Sequence, residues 1–304
     1  FIEYNFRDVE ILVELDKKLE YLALTKNLSH KGKHNYGEVY HNTVTQDGAI
    51  SAYLLSEGII PPPKENHPQK KKGYAGGYLF CPKAGIYKYM FDEDLTSLYP
   101  CIIMSLNIGK ETMVGRIIND TLPENLRYRP YKVEDKENKT SYYSPSRNNY
   151  LGLNDLKKKD PQEKLTVENA KGKRTQIEVG NLINLIEDMK MAVSANGTFF
   201  RTDKSSVLSI ILDKWFTERV KYKNQMKKAF KAGNNELGTS FHLKQYTMKI
   251  LLNSLYGATA LPTFRYAMNH AILSEAITLS GWRIIQESAL AANRHINKLM
   301  KTEI

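Results

Sequence analysis

Apolar residues recur along the chain at helical spacing in long stretches, separated by short strand-like runs. Val9, Leu12, Val13, Leu15, Leu19, Leu22 and Leu24 predict a helix over 7–28. Ala49, Ile50, Ala52, Tyr53 and Leu54 predict a second over 47–57, with Asp47 as its cap. Pro61-Pro62-Pro63 through Lys70-Lys71-Lys72 is a proline-rich basic loop leading into Tyr74-Ala75-Gly76-Gly77-Tyr78-Leu79. Residues 86–95, rich in Tyr, Ile and Phe, predict a strand. Ser97 to Leu106 turns into a helix that tolerates Pro100 in its first turn. Residues 119–180 are polar, lysine-rich and poorly periodic, and are expected to form an insertion or mobile subdomain, partly disordered. A turn and short strand follow at 195–200. Helices are expected over 205–231, opened by Asp203 or Ser205, and over 236–257, with Gly233-Asn234-Asn235 turning the chain into a hairpin. More helix is expected over 267–301, with Ile272, Ala276, Leu279, Trp282, Ile285 and Ile296 on apolar faces.

Composition narrows the class. The 304 residues are 41% hydrophobic, enough for two domains or a large piece of a bigger protein. A net charge of +11 favours a polyanionic partner, most often nucleic acid. Two cysteines, Cys81 and Cys101, argue against a disulfide framework and for a reducing compartment. No Cys/His cluster has zinc spacing, and no apolar run approaches the roughly 20 residues of a membrane span. The chain opens at Phe1 without signal-peptide features and closes at Ile304 just after a long helical pattern, so both ends are expected to continue into a longer sequence.

Two stretches carry chemistry. Asp94 stands at the end of the predicted strand, before a turn into a helix; a carboxylate there suits Mg²⁺, a hard cation that leaves room for substrate phosphates. The backbone N–H groups that follow, near a helix N-terminus, can face a triphosphate, with Tyr99 near the sugar. Arg219 and Lys223 lie four apart on one predicted helix. Lys249, Asn253 and Tyr256 share a face of the next at i, i+4 and i+7. Packed as a hairpin, these would line one groove with a planar guanidinium and point charges suited to phosphate. Taken singly, an acid at a strand end is usually a cap, and lysines four apart usually solvate a helix. The joint pattern outweighs that reading.

Asp94-Leu95-Thr96-Ser97-Leu98-Tyr99-Pro100 resembles the D-x-x-S-L-Y-P signature (motif A) of family B DNA polymerases, and Lys249 to Gly257 resembles their K-x₃-N-S-x-Y-G signature (motif B). Tyr74 to Gly77 is similar to the family's Y-x-G-G/A loop, Phe216-x-x-Arg219-x₃-Lys223 to its triphosphate-gripping fingers helix, and Tyr4 to Asp8 to its third exonuclease motif, Y-x₃-D. Asn107-Ile108 with Glu111-Thr112, and Phe264-Arg265-Tyr266, resemble the T-even-type phage branch. Cys101 departs from the Ser usual after the motif A proline, a mild change within a helix.

The resemblance implies an α+β fold: an incomplete polymerase palm sheet with helices, plus helical-hairpin fingers. It divides the chain into an exonuclease tail and connector (1–72), palm with motif A (73–118), insertion and palm connection (119–200), fingers (201–258) and a helical return to the palm (259–304). It implies DNA-templated DNA synthesis from dNTPs on a primer-template by a two-metal mechanism with two Mg²⁺ ions, in the cytoplasm of an infected bacterium. Asp94 and the Leu95 carbonyl would hold metal, and Ser97 and Leu98 N–H groups would hold phosphates. Tyr99 would exclude a ribose 2′-hydroxyl. Arg219, Lys223 and Lys249 would neutralise the triphosphate with support from Asn253, and Tyr256 and Gly257 would pack near the nascent base pair. Tyr4 and Asp8 would be an exonuclease remnant. The family's second carboxylate motif, Y-x-D-T-D, has no match in the 304 residues. The chain alone is therefore expected to need a C-terminal partner segment carrying it. A non-catalytic DNA-binding module and a protein-primed polymerase are the competing readings.

Overall fold

The computed structural model describes residues 1–64, 76–78, 84–86, 92, 94–118, 150–268 and 271–300, and the backbone alone at 131–135 and 140–144. In chain order the elements are α1 (Ile2–Leu19), α2 (Tyr21–Gly32), α3 (Asn42–Ser56), α4 (Leu98–Ser105), β1 (Met113–Ile118), β2 (Tyr131–Asp135), β3 (Thr140–Ser144) and α5 (Leu153–Leu156). Then follow β4 (Lys164–Asn169), β5 (Arg174–Glu178), α6 (Val179–Asp188), β6 (Ala192–Val193), β7 (Thr198–Phe200), α7 (Val207–Lys231), α8 (Asn235–Thr259) and α9 (Ile272–Met300). Helices and antiparallel strands occur together, as an α+β fold requires. The chain forms two units, Phe1–Asn66 with Ile211–Arg265, and His67–Ile210 with Tyr266–Ile304.

The first unit is helical. The single helix expected over 7–28 is two helices, because Glu20 adopts the left-handed conformation (φ 55°, ψ 34°). Asp16 makes the break possible: its Oδ1 accepts the Leu22 N–H at 2.9 Å, satisfying an otherwise orphaned donor at the start of α2. No residue of α1 is buried. α3 begins at Asn42, earlier than expected, so Asp47 is no cap. It lies inside the helix, buried, and its Oδ1 accepts the Arg265 N–H at 3.0 Å. Burial pushes the Asp47 carboxyl pKa up, against the lowering effect of that bond and of Lys64 and Arg265. α2 meets α3 at a pair of glycines: a Cβ on Gly48 would stand 1.8 Å from the Gly32 carbonyl oxygen. α3 also packs on α8, where Ile50 and Leu54 are buried, as are Met248, Leu251, Leu252 and Leu255. α7 and α8 form the expected hairpin. Tyr222 stacks on Phe241 with centroids 6.4 Å apart, and Phe230 packs over Gly238.

The second unit is built on a five-stranded antiparallel sheet in the order β5-β4-β1-β7-β6. Of residues 119–180, expected to be a poorly ordered insertion, 150–180 supply α5 and the β4–β5 hairpin of this sheet, while 119–130, 136–139 and 145–149 lie outside the described residues. Neither strand of that hairpin has a fully buried residue, which hides both from an apolar-periodicity reading. Ile117, Leu151, Leu156, Leu182, Ile186, Met191 and Phe199 form one core between the sheet and α5–α6. Each such side chain contributes about 1.5–3 kcal/mol by burial. β2 and β3 pair separately. The strand expected over 86–95 lies largely outside the described residues.

A charge ladder crosses three strands. Glu168 on β4 accepts Arg116 Nη2 from β1 at 2.9 Å and Arg174 Nε from β5 at 3.0 Å. Partial burial acts to raise its pKa, but the two guanidiniums outweigh this and hold it below the usual range. A lowered folded-state pKa means the stabilisation is present above the ordinary carboxylate pKa of about 4.3 and is lost as pH falls through the folded value. Thermal melts recorded between about pH 3 and 6 should show Glu168→Gln flattening the acid limb of the Tm profile. An unchanged limb would remove Glu168 from the acid sensitivity of the fold.

Candidate active site

Asp94 is an exposed carboxylate just before a tight turn. Ser97 adopts φ 53°, ψ 44° and is the N-cap of α4, so a left-handed residue is followed directly by right-handed ones. Successive N–H groups converge in such an arrangement, giving an anion-binding concavity. Pro100 contributes no donor, and the first helical bond runs from Cys101 N–H to Ser97 O at 3.0 Å. The N–H groups of Ser97 and Leu98 thus belong to an end of α4 that favours negative charge. The left-handed torsion costs about 1–2 kcal/mol for a non-glycine residue, and strain of this kind concentrates at functional sites.

α9 holds this turn in place. A Cβ on Gly281 would lie 3.0 Å from Tyr99 Cε1, 3.5 Å from Ile102 Cδ1 and 3.7 Å from Leu98 Cδ2, so α4 rests on the one position of α9 without a side chain. The adjacent Trp282 donates its indole N–H to Gly76 O at 2.8 Å. Gly77 follows, and a Cβ there would be 3.7 Å from Tyr99 Oη. The Gly76-Gly77 loop and the start of α4 therefore meet at two consecutive residues of α9. Tyr74 lies outside the described residues.

The C-terminal end of α4 is braced by Asn107, buried and left-handed (φ 54°). Its Nδ2 donates to Arg201 O and Lys204 O, both at 2.7 Å, and its Oδ1 accepts from Ser206 N at 2.7 Å. Thr112 Oγ1 donates to Asn107 O at 2.6 Å, and Glu111 Oε1 accepts the Val207 N–H at 2.6 Å, capping the start of α7. The Asn107, Glu111 and Thr112 string is thus a structural brace between α4 and the entry to α7.

In the first unit, Lys249 and Asn253 are exposed on α8, Tyr256 and Gly257 are half-buried, and Leu251, Leu252, Leu255 and Ala258 are buried on the other side. Lys249 and Asn253 thus lie on the solvent side of α8. α3 fixes this stretch: Gln46 Nε2 donates to Leu251 O at 3.1 Å and Ser254 Oγ at 2.7 Å, and Asn42 Nδ2 donates to Ser254 O at 2.9 Å. On α7, Lys223 is exposed and Arg219 half-buried, with an Nε that is buried and has no hydrogen-bond partner among the described residues. An unpartnered guanidinium N–H is a donor suited to an anion. Tyr4 and Asp8 lie one turn apart on α1, both exposed. The structure therefore gathers Asp94 to Tyr99 in the second unit, and Arg219, Lys223, Lys249, Asn253, Tyr256 and Gly257 on the hairpin of the first. Among the described residues no group of three or more His, Cys, Asp or Glu side chains is arranged to hold a metal.

The profile of DNA polymerase family B matches residues 45–303. The chain belongs to the family B DNA polymerases. It is of the T-even type: the DNA-directed DNA polymerase of Enterobacteria phage T4 is 27% identical over 99% of this chain, and that of Escherichia phage RB69 is 27% identical over all of it. The chain spans 32% of the length of each of these polymerases. Its fold is also similar to that of the family B DNA polymerase from the hyperthermophilic archaeon Pyrobaculum calidifontis. There the TM-score is 0.56 at 17% identity, over 96% of this chain and 29% of that one.

Gly281, Gln46 and Asn42 hold the motifs rather than belong to them, and no motif marks them. A glycine inside a helical pattern costs about 1 kcal/mol against Ala. Gly281 was thus a visible sign of close packing, whereas Gln46 and Asn42 gave none. Gly281→Leu should lower stability by about 1–3 kcal/mol and change the near-UV signal of Tyr99. Asn107→Ala, which orphans buried backbone groups, should cost about 2–4 kcal/mol in urea unfolding.

Proposed function

We propose that this chain supplies one metal-binding carboxylate, the sugar-discriminating tyrosine and the triphosphate grip of a phage replicative DNA polymerase. The reaction is DNA-templated: a primer 3′-hydroxyl oxygen bonds to the α-phosphorus of a dNTP and pyrophosphate leaves. The observation that carries the reading is the left-handed Ser97 between Asp94 and Tyr99. Within six residues it sets a carboxylate, two convergent N–H donors and an aromatic ring, in a chain whose family is DNA polymerase family B.

In this reading residues 73–118 are palm and residues 201–258 fingers. Asp94 and the Leu95 carbonyl are oxygen ligands of the kind Mg²⁺ takes; when bound, the ions supply charge that neutralises the phosphates and favours the ionised 3′-oxygen. Ser97 and Leu98 donate N–H bonds to phosphate oxygens. Arg219, Lys223 and Lys249 hold the triphosphate and offset the charge that grows on the leaving pyrophosphate. Asn253 supports that grip, and Tyr256 with Gly257 borders the nascent pair. Tyr99 lies under the sugar, where a 2′-hydroxyl would collide with its ring. Tyr4 and Asp8 are the trace of an exonuclease site. Asp94 would be one ligand of the metal pair, and a carboxylate from a further segment would supply the other. The setting is the cytoplasm of an infected bacterium. Among the described residues no helix is long and apolar enough to cross a membrane.

Primer extension with Mg²⁺ tests this on the 304-residue chain, alone and with a segment carrying the second carboxylate. The chain alone should give little or no product, and the complemented chain should extend. In the complemented enzyme Asp94→Ala should lower extension by at least about 10³-fold. Lys249→Ala should raise the dNTP concentration at half-maximal rate by about 10–100-fold. Tyr99→Ala should keep extension measurable and admit ribonucleotides. Unchanged ribonucleotide rejection would defeat the role given to Tyr99.

A further inference from the structure

A pocket of about 380 Å³ opens in the first unit between the end of α2, α7 and α8, away from the Lys249–Asn253 face of α8. Ligand clefts span roughly 300–1,000 Å³, so its size admits a nucleotide-sized group. His30, Lys31 and Lys33 line it from α2 and the residue just beyond, and Lys244 from α8. Thr247 and Met248, both buried, also line it. Tyr222 closes the α7 side, its ring held by stacking on Phe241. No carboxylate lines the pocket, although Glu218 pairs with Lys31 at 2.6 Å.

Cations at a helix C-terminus have an ordinary use, offsetting the carbonyl end of the helix dipole. That accounts for His30 and Lys31 in the last turn of α2. It does not account for Lys244, which sits mid-way along α8. Nor is Lys33 committed elsewhere: it is the left-handed residue ending α2, is exposed, and like Lys244 makes no ion pair among the described residues. Lys244 Nζ lies 5.5 Å from the Phe241 ring centroid, which keeps the ammonium beside the Tyr222–Phe241 stack. Cations converging from two helices on a rigid aromatic pair are the combination that binds unpaired nucleic acid, phosphates on the charges and a base on the ring.

We propose that this pocket is a second nucleic-acid site, taking a single-stranded segment with its phosphates on Lys33 and Lys244 and a base against Tyr222. The polymerase reading supplies the class of ligand; the pocket supplies the place. None of Arg219, Lys223 and Lys249 lines the pocket.

The test is fluorescence anisotropy of a labelled oligo-dT of about 16 nucleotides, a length within single-strand site sizes, titrated with the 304-residue chain over a range of salt. Lys33→Gln with Lys244→Gln, at two exposed positions, should weaken binding by about tenfold or more at low salt. It should also make the log–log salt slope shallower by about 1.4, or about 0.7 for each phosphate that is no longer neutralised. The Tm should be unchanged. If primer extension behaves as proposed while the double variant keeps the parent's affinity and slope, the pocket inference fails alone. A parent chain that does not bind the oligonucleotide, or a polyglutamate peptide that competes as well as DNA, would also overturn it.

Discussion

The contact that the Asp94–Tyr99 turn depends on is the one between α4 and Gly281. Asp94 is exposed and carried on a left-handed turn whose own torsions are unfavourable by about 1–2 kcal/mol. Such a turn persists only if its surroundings over-determine it. The surroundings are Leu98, Tyr99 and Ile102, which close on a helix surface that lacks a side chain at that one point. Trp282, next along α9, ties down the Gly76-Gly77 loop from the same turn of helix. Asn107 then satisfies three backbone groups at the other end of α4. The carboxylate is thus positioned by packing and hydrogen bonds that make no use of its charge.

The hairpin of the first unit follows the same logic with polar rather than apolar contacts. α8 presents Lys249 and Asn253 outward because Leu251, Leu252 and Leu255 are drawn inward. Gln46 and Asn42 bond carbonyls in that very stretch, so rotation or sliding of α8 would strand the buried amide of Gln46 and the half-buried one of Asn42. Asp47, one residue on, anchors Arg265 beyond the end of α8. Three neighbouring polar side chains of α3 thereby fix α8 at and beyond the stretch that carries Lys249 and Asn253.

Much of this was legible in the residues. The long helices were, because their apolar spacing persists for many turns: α7, α8 and α9 lie close to their expected limits. The family was, because motif order and spacing are joint constraints that chance rarely meets. What escaped had identifiable causes. The break at Glu20 is set by an Asp16 side-chain bond, which leaves the apolar spacing intact on both sides. Asp47 resembles a cap in every local respect, and only its distant partner Arg265 explains it inside a helix. β4 and β5 are polar on both faces for much of their length and are held by Arg116, Glu168 and Arg174, so neither alternation nor apolar content marks them. The supports of the site, Gly281, Gln46 and Asn42, act on backbone and ring atoms far along the chain, and such contacts leave no local pattern.

α1 carries an apolar stripe of Val9, Leu12, Val13 and Leu15, yet all of its residues remain at least partly open to solvent. A helix of its 18 residues gains little from propensity alone, being barely above the length at which isolated helices persist in water. Its amide hydrogens have only local opening to resist, with no core beneath them. In the isolated chain, α1 would therefore exchange deuterium, and admit a protease, on a timescale set by fraying, while α3 and α8 stay protected.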